Sequence, residues 1–354
     1  MRPQIVLACT GSILGCLLAA LTYYLCPTLF TRFSVGSGSS FENLEDLRVA
    51  MRQRKSSEQS SQREVPLRGI VIPNPSDKII YELEPNRVAL FRGQRVEMNS
   101  FGMRSPEIAQ DKPLHTKRIA VLGDSYAFGW GVPQNSTFSR WLETELNRTA
   151  PQGERVEVLN FGVPGYATFQ EVGGFFEKGV RFSPDVVLVY FIKNDFGLPF
   201  FIRDLNDNSS LLPAPAFDQQ TIRSDDQQAQ ARRKALLRSL DANRALLELA
   251  IFCKERNIPV FLAPHPDESA KTLRGKLWVL KNSPGKETIR FLDLQAPFQD
   301  IISRDRISSE SLSIPHDHHP GAGAHEAVGK ALAPMIAPAL WPNRPAEPGE
   351  SQHF

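Results

Sequence analysis

The sequence predicts a three-layer α/β fold built on a five-stranded parallel sheet and preceded by one transmembrane helix. Short, continuous apolar runs rich in β-branched residues recur from residue 118 onward, as expected of strands buried on both faces. Longer helical patterns alternate with these runs, which indicates one parallel sheet with helices on both of its faces. The first thirty residues form a separate apolar stretch, long enough to cross a membrane.

The elements of the predicted sheet domain alternate along the chain. The strand candidates are Arg118–Leu122, Val156–Asn160, Asp185–Phe191, Ile258–Ala263 and Thr288–Leu292. The helix candidates are Thr137–Arg148, Phe169–Gly179, Arg232–Arg256, Glu268–Val279 and Gly323–Ile336. Each pair of consecutive strands is therefore joined through a helix, which is the connection that parallel strands need.

The N-terminal segment is interpreted as an uncleaved membrane anchor. No charged residue occurs in Pro3–Thr31, and Ile5–Cys26 is long enough to span a bilayer core, which takes ~20 apolar residues as a helix. A cleavable signal peptide is the alternative, but the run lacks an Ala-x-Ala site and ends in aromatic residues suited to a membrane interface. We expect an anchor or signal at residues 1–32, a flexible stalk at 33–65 and a disordered tail at 341–354.

Net charge and cysteine content exclude several classes of protein. The chain has 41 Lys and Arg residues against 39 Asp and Glu, a formal charge of +2, so it lacks the broad basic surface typical of nucleic-acid-binding proteins. Three of its four cysteines lie in the N-terminal apolar run, which leaves only Cys253 for the rest of the chain. A disulfide scaffold and a cysteine-based zinc site are excluded there, and serine is favoured as a nucleophile.

Polar residues that suit acyl transfer follow the predicted strands. Ser125, Gly165 and Asn194 come after the first three strands, where the carboxyl ends of parallel strands gather reactive groups. Asp317 and His319 precede the last helix. A serine hydroxyl needs a base within hydrogen-bond reach, and a histidine oriented by an aspartate can be that base. The backbone N–H groups of Ser125 and Gly165 and the side-chain amide of Asn194 would form the oxyanion hole.

Four sequence blocks carry a resemblance to a known family. They read RIAVLGDSYAFGWGV, VLNFGVPGYATFQ, PDVVLVYFIKNDF and HDHHPGAGAH. In order and in kind they are similar to the serine, glycine, asparagine and histidine blocks of the SGNH, or GDSL-type, hydrolases. The resemblance covers about residues 118–336, and the lead-in segment (residues 66–116) is similar to that of bacterial members with an N-terminal anchor. It implies a flavodoxin-like SGNH hydrolase domain over residues 66–340.

The resemblance assigns a role to each candidate residue. It implies a nucleophile at Ser125, a base at His319 and an orienting carboxylate at Asp317. It also implies oxyanion donors at Gly165 and Asn194, next to the backbone amide of Ser125. These roles agree with the chemistry expected of the residue types themselves.

One feature departs from the pattern of many members of the family. Those members place the aspartate three residues before the histidine, whereas here the spacing is two and His316 occupies the earlier position. The spacing Asp-x-His-Pro is also found in the family, so Asp317 is kept as the residue that orients His319.

The histidine-rich run is also considered as a metal site. Its potential ligands are His316, Asp317, His318, His319 and His325. Adjacent residues on one extended loop cannot all point inward, and no cysteine lies nearby. The sequence therefore predicts no metal and no other cofactor.

A long stretch at residues 197–232 fits no regular element. Loops of this length inside a domain are usually functional or disordered. Because the stretch directly follows the Asn194 block, we expect it to overhang the site and to contact an acyl or glycan group.

The predicted function is ester hydrolysis at a bacterial cell envelope. The expected enzyme is held in the inner membrane by its N-terminal helix, with its catalytic domain in the periplasm. The expected substrates are O-acyl esters, such as acetyl esters, of envelope glycans or lipids. Two alternatives stay open: an O-acyltransferase that uses the same acyl-enzyme, and a non-catalytic envelope assembly protein that keeps the fold. No nucleic acid partner is expected.

Overall fold

The computed structural model of the protein describes residues 64–197 and 241–342, apart from positions 75, 77, 78 and 80, together with residue 227. Within those ranges no helix combines the length and the apolar character needed to cross a bilayer. The predicted anchor at residues 1–32 lies outside the described residues. So does nearly all of the predicted stalk, of the stretch at 197–232 and of the C-terminal tail.

The lead-in segment carries two antiparallel strand pairs. Its strands are β1 (Val71–Pro73), β2 (Tyr81–Leu83), β3 (Val88–Phe91) and β4 (Gln94–Glu97). β1 pairs with β2, and β3 pairs with β4. The turn between β3 and β4 consists of Arg92 and Gly93, whose φ angles of 50° and 72° are both positive. A two-residue hairpin turn of type I′ requires this combination.

The main sheet has five parallel strands, as predicted. They are β5 (Thr116–Leu122), β6 (Arg155–Asn160), β7 (Val186–Phe191), β8 (Val260–Pro264) and β9 (Ile289–Phe291). The spatial order is β6-β5-β7-β8-β9, and every neighbouring pair is parallel. This is the flavodoxin-like order, in which the chain reverses direction beside β5. The end of β5 is therefore the switch point at which ligands of such sheets bind.

The described helices connect and cover these strands. They are α1 (Ser125–Phe128), α2 (Phe138–Thr149), α3 (Thr168–Glu177), α4 (Ala242–Glu255), α5 (Ala270–Lys276), α6 (Gly285–Thr288), α7 (Gln295–Asp305) and α8 (Ala322–Leu340). Five of them, α2, α3, α4, α5 and α8, fall on the predicted helices with shifted ends. Helix α4 begins ten residues after the start of its predicted range, and residues 232–240 of that range lie outside the described residues. Helix α7 was not predicted, because its buried apolar face consists of little more than Phe298 and Ile301.

The hydrophobic core lies on both faces of the sheet. Side chains of β5 alternate between the two sides: Ile119 and Val121 pack with α2, α7 and α8, and Ala120 and Leu122 pack with α3 and α4. This alternation follows from the two-residue period of a strand. It explains why the strands have continuous apolar sequences, since neither face is left to water.

A buried arginine fastens the lead-in segment to the sheet. The side chain of Arg118 is fully buried, and its Nε donates to Glu157 Oε2 on the neighbouring strand at 2.9 Å. Its terminal nitrogens donate to the carbonyl oxygens of Ala109 and Gln110, each at 2.7 Å. A buried charge is tolerated when it is paired and hydrogen-bonded in this way. The network therefore fixes the end of the lead-in segment beside β5.

Candidate active site

Ser125 is placed at the carboxyl end of the central strand by a tight strand-to-helix turn. A Cβ atom on Gly123 would lie only 2.6 Å from the Cβ of Ala127, so the turn accepts glycine alone without a shift. Asp124 caps the short helix α1, because its Oδ1 accepts from the backbone N–H of Tyr126 at 2.9 Å. The side chain of Ser125 is thereby held at the rim of the sheet, nearly buried at 7% exposure.

The segment that carries His319 folds back on itself in front of α8. The backbone N–H of Ile314 donates to the carbonyl oxygen of His319 at 2.9 Å, and the N–H of Asp317 donates to that of Ile314 at 3.0 Å. His316 adopts a φ of 61° within this turn and is exposed. This fold directs the imidazole of His319 toward Ser125 and places the carboxylate of Asp317 at the other ring nitrogen.

A continuous chain of hydrogen bonds joins the three predicted catalytic side chains. His319 Nε2 lies 2.9 Å from Ser125 Oγ, and His319 Nδ1 lies 2.6 Å from Asp317 Oδ1. The carboxylate of Asp317 accepts the hydrogen bond from Nδ1–H of His319, so the unprotonated Nε2 is left to accept from the serine hydroxyl. Partial burial raises the pKa of Asp317, but its hydrogen bonds and the charge of His319 outweigh burial and lower that pKa to about 2. Asp317 is therefore ionised at neutral pH.

The turn that holds Gly165 packs directly against α1. Asn160, at the end of β6, donates from Nδ2 to the carbonyl oxygen of Ala127 at 2.8 Å and accepts from the N–H of Gly162 at 2.9 Å. A Cβ atom on Gly162 would lie 2.4 Å from the backbone nitrogen of Phe128, so only glycine allows this approach. Gly165 follows with a φ of 83°, a conformation that glycine adopts at little cost.

The side-chain amide of Asn194 lies next to the serine turn. Asn194 belongs to a single 3₁₀ turn, Lys193–Phe196, that directly follows β7. Its Nδ2 donates to Asp124 Oδ2 at 3.0 Å, and the same carboxylate oxygen lies 3.2 Å from Ser125 Oγ. One hydrogen of the amide is engaged by Asp124, which leaves the second for another acceptor. The structure thus brings Ser125, His319 and Asp317 together with the side chain of Asn194 nearby, while Gly165 lies in the turn whose Gly162 packs against α1.

A comparison of the sequence with known protein families identifies the family of this chain. Residues 121–327, more than half of the chain, match the model of the GDSL-like Lipase/Acylhydrolase family. The chain belongs to this family. As a GDSL-family protein it is an enzyme, a hydrolase that acts on ester bonds.

Solved structures similar to this GDSL-family chain include three from bacteria. A GDSL-like lipase from Bacteroides thetaiotaomicron is 13% identical, with 66% of this chain and 93% of that chain covered, at a TM-score of 0.37. A lipase/acylhydrolase from Enterococcus faecalis is 14% identical, with 65% and 100% covered, at 0.38. An acetylxylan esterase from Geobacillus stearothermophilus is 13% identical, with 62% and 94% covered, at 0.38. No curated protein matches the chain.

In this GDSL-family hydrolase, Trp130 contacts two of the candidate site residues, and the sequence did not reveal those contacts. Its Nε1–H donates to Asp317 Oδ2 at 3.1 Å, and its ring stacks on that of His319 with centroids 4.7 Å apart and planes 13° from parallel. In the sequence it is only the centre of a Gly-Trp-Gly turn. The contact joins residues 187 positions apart, so no local pattern could show it.

Arg104, from the lead-in segment, binds the backbone of the turn that contains Trp130. Its guanidinium donates to the carbonyl oxygens of Phe128, at 3.0 Å, of Val132, at 2.6 Å, and of Gly129. It also lies over the ring of Phe128, 4.7 Å from the centroid. Burial lowers the pKa of Arg104 to about 9, so the group is still a cation at neutral pH.

The remaining residues of the histidine-rich run are not gathered around one point. His316 and His318 are exposed, and the backbone oxygen of His318 accepts from the hydroxyl of Tyr126 at 2.9 Å. His325 is buried on α8, where its Nδ1 accepts from the backbone N–H of Phe138 at 3.1 Å. Among the residues that the structure describes, no three His, Cys, Asp or Glu side chains are grouped so as to hold a metal ion.

Buried carboxyl groups lie behind the serine turn of the GDSL-family site. Burial raises the pKa of Asp124, against the opposing hydrogen bonds from Asn194 and from the backbone of Tyr126. Burial also raises the pKa of Glu171, on α3, well above its ordinary value, and the nearby carboxyl of Asp195 adds to the effect. Two adjacent buried carboxyls cannot both ionise at low cost, so the folded structure favours the protonated form of Glu171.

Glu171→Gln should make the stability of the protein less sensitive to alkali. Because the folded-state pKa of Glu171 is raised, its contribution to stability is complete below the unfolded-state pKa and is lost as pH rises through the folded-state pKa. Glutamine has a similar shape and no proton to lose. Urea unfolding at about pH 5 and about pH 9 should show a smaller loss of unfolding free energy for the variant than for the wild type.

The matched control for this prediction is Glu177→Gln. Glu177 lies on the same helix but is exposed, so its replacement should leave the pH dependence as in the wild type. An equal alkaline loss of stability in Glu171→Gln and in the wild type would contradict a raised pKa of Glu171 in the folded protein.

Proposed function

We propose that this GDSL-family hydrolase cleaves esters through a covalent acyl-enzyme on Ser125, with His319 as base and Asp317 as its orienting carboxylate. The observation that carries this proposal is the hydrogen-bond chain from Ser125 Oγ to His319 Nε2, at 2.9 Å, and from His319 Nδ1 to Asp317 Oδ1, at 2.6 Å. Nucleophile, base and orienting group stand in the order and at the distances that acyl transfer by serine requires.

The reaction proceeds in two steps that share the same residues. Ser125 Oγ attacks the ester carbonyl while His319 Nε2 takes the hydroxyl proton, and the ionised Asp317 stabilises the imidazolium that forms. His319 then returns the proton to the leaving alkoxide, which departs as an alcohol. In the second step His319 deprotonates water, the water attacks the acyl group, and Ser125 is released with its proton restored.

The oxyanion of the tetrahedral intermediate is held by three donors in this proposal. They are the backbone N–H groups of Ser125 and Gly165 and the side-chain Nδ2 of Asn194. Neither backbone N–H donates a hydrogen bond elsewhere in the described part of the chain, so both are available to a substrate. Each well-aimed donor of this kind is worth about 3 kcal/mol in the transition state.

The substrates of the proposed enzyme are O-acyl esters, such as acetyl esters, of glycans or lipids of the bacterial cell envelope. This part of the proposal rests on the uncharged apolar segment Ile5–Cys26, which would hold the catalytic domain at the periplasmic side of the inner membrane. A membrane-held enzyme acts on esters within reach of the bilayer. The flanking charges Arg2 and Arg32 are nearly balanced, so the orientation follows from the proposed substrate rather than from charge.

A fluorophosphonate that reacts with activated serines tests the proposal. The full chain should be labelled in a membrane fraction, and Ser125→Ala should not be labelled, because among the serines that the structure describes only Ser125 is hydrogen-bonded to a histidine. Ser139→Ala is the matched control, since Ser139 is also buried but hydrogen-bonds to Asn160 and Thr137 instead of a histidine. Labelling of the Ser125→Ala variant, or no labelling of the wild type, would contradict the serine mechanism and favour a non-catalytic envelope protein.

Product analysis then separates hydrolysis from transfer. Hydrolysis releases acetate from an acetylated glycan at a rate that does not depend on an added sugar acceptor. An acyltransferase would instead form acylated acceptor at the expense of free acetate. Soluble label without membrane partition would contradict the proposed anchor and leave the serine chemistry intact.

A further inference from the structure

The indole of Trp130 contacts both the base and the orienting carboxylate of the site. Its Nε1–H donates to Asp317 Oδ2 at 3.1 Å, while its ring lies nearly parallel to the His319 imidazole, with centroids 4.7 Å apart. One rigid side chain therefore fixes two neighbours at once. In the described part of the chain, no other side chain from outside the His319 segment makes a hydrogen bond or ring contact with both Asp317 and His319.

The two oxygens of Asp317 divide their hydrogen bonds between His319 and Trp130. Oδ1 accepts from the Nδ1–H of His319 at 2.6 Å and from its backbone N–H at 3.1 Å. Oδ2 accepts from Trp130. A carboxylate held at one oxygen only can rotate about its Cβ–Cγ bond, and the second donor at Oδ2 opposes that rotation. The plane of the Asp317 carboxylate, and with it the direction of the His319 ring, then depends on Trp130.

Trp130 is itself held from the lead-in segment. The guanidinium of Arg92 lies 4.5 Å from the centroid of its ring, and the ring of Phe91 meets it edge-on at 5.0 Å. A Cβ atom on the next residue, Gly131, would lie 3.2 Å from the side chain of Ile314, which belongs to the turn before His319, so the two turns approach closely. These contacts restrict the indole before any substrate binds, which is the condition for precise placement of a catalytic group.

We propose that Trp130 is a positioning residue of the active site, whose indole aligns Asp317 and His319 so that His319 Nε2 can take the proton of Ser125. The inference rests on the proposed function and adds a residue that acts through Asp317. As the proton moves from Ser125 Oγ to His319 Nε2, the imidazole becomes a cation, and the π face of Trp130 stabilises that charge. The carboxylate of Asp317 stays ionised throughout the transfer.

Replacing Trp130 by phenylalanine tests the hydrogen bond, because it keeps an aromatic face and removes the Nε1–H donor. With p-nitrophenyl acetate as substrate, kcat should fall about tenfold and KM should change little, since a hydrogen bond to a charged group is lost. Trp141→Phe is the matched control. Trp141 is similarly half-buried, lies on α2, and its Nε1 has no hydrogen-bond partner in the described part of the chain; its replacement should leave kcat unchanged.

A double-mutant cycle with Asp317→Ala separates positioning from a merely structural role. If Trp130 acts through Asp317, Trp130→Phe should lower kcat about tenfold in the wild type and have no further effect once Asp317 is absent. Losses that multiply in the double variant would mean that Trp130 acts elsewhere, which overturns the proposal. Equal kcat in Trp130→Phe and Trp141→Phe would overturn it as well.

These experiments distinguish a failure of the positioning role of Trp130 from a failure of the proposed function. Fluorophosphonate labelling at Ser125 reports on the serine mechanism, and thermal melts of each variant report on folding. Labelled wild type together with an unaffected Trp130→Phe variant would reject only the positioning role. Absence of any Ser125 labelling would reject the proposed function first.

Discussion

Replacing His319 by alanine should lower kcat for ester hydrolysis by about 10⁴- to 10⁶-fold, the range found when the base of a serine triad is removed. The physical reason is that Ser125 then has no acceptor at 2.9 Å for its proton. Its other neighbour, Asp124 Oδ2, lies at 3.2 Å but belongs to a fully buried carboxylate that also binds Asn194. Steady-state kinetics with a chromogenic acetyl ester measures the loss.

The adjacent His318 provides the control for this prediction. Its side chain is exposed, and only its backbone oxygen contacts the site, through the hydroxyl of Tyr126. His318→Ala should therefore keep nearly full activity. The double variant Ser125→Ala with His319→Ala should be no slower than either single variant, because residues that act as a unit do not contribute additively. Retention of more than about one hundredth of the activity in His319→Ala would contradict the assigned base.

Replacing Arg104 by methionine should reduce the unfolding free energy by about 3–5 kcal/mol, because three buried carbonyl oxygens lose a charged donor. Arg104 is 1% exposed and binds the carbonyls of Phe128, Gly129 and Val132. Methionine fills part of the space and supplies no donor. Chemical denaturation followed by tryptophan fluorescence measures the change, and the melting temperature should fall by about 10 °C for a domain of this size.

The matched control is Arg95→Met. Arg95 belongs to the same lead-in segment, but its side chain is 70% exposed and its ion pair with Glu97 is at the surface. Exposed pairs contribute at most about 1 kcal/mol, so this variant should melt close to the wild type. If Arg104→Met were as stable as Arg95→Met, the buried guanidinium could not be what holds the turn that carries Trp130.

The sequence was sufficient for the sheet and for the positions of the candidate residues Ser125 and Asn194 at its carboxyl edge. The strands are buried on both faces, so their sequences are continuous apolar runs that differ from the helical pattern around them. Ser125 and Asn194 could be placed because each follows such a run directly. Asp317 and His319 lie far along the chain, and they are predicted from the chemistry that a serine nucleophile needs together with the resemblance of the four blocks.

The contacts around those residues could not be predicted, for a physical reason. Phe91, Arg92 and Arg104 lie on short strands and turns of the lead-in segment, and their roles arise only from tertiary packing against Trp130 and its turn. Glu171 is a second case. A glutamate on a helix is ordinarily solvated, and only the structure shows it buried beside Asp195.

The distance along the chain between Ser125 and His319 has a consequence for the biogenesis of the enzyme. The two residues are 194 positions apart, and Ser125 follows the first strand of the main sheet to be synthesised while His319 follows the last. In the proposed mechanism the nucleophile therefore lacks its base during synthesis until the His319 segment and the helix after it, α8, have emerged and docked. A chain caught part-way through synthesis would then hold an inert serine, and ester hydrolysis at Ser125 would report that the whole domain has folded.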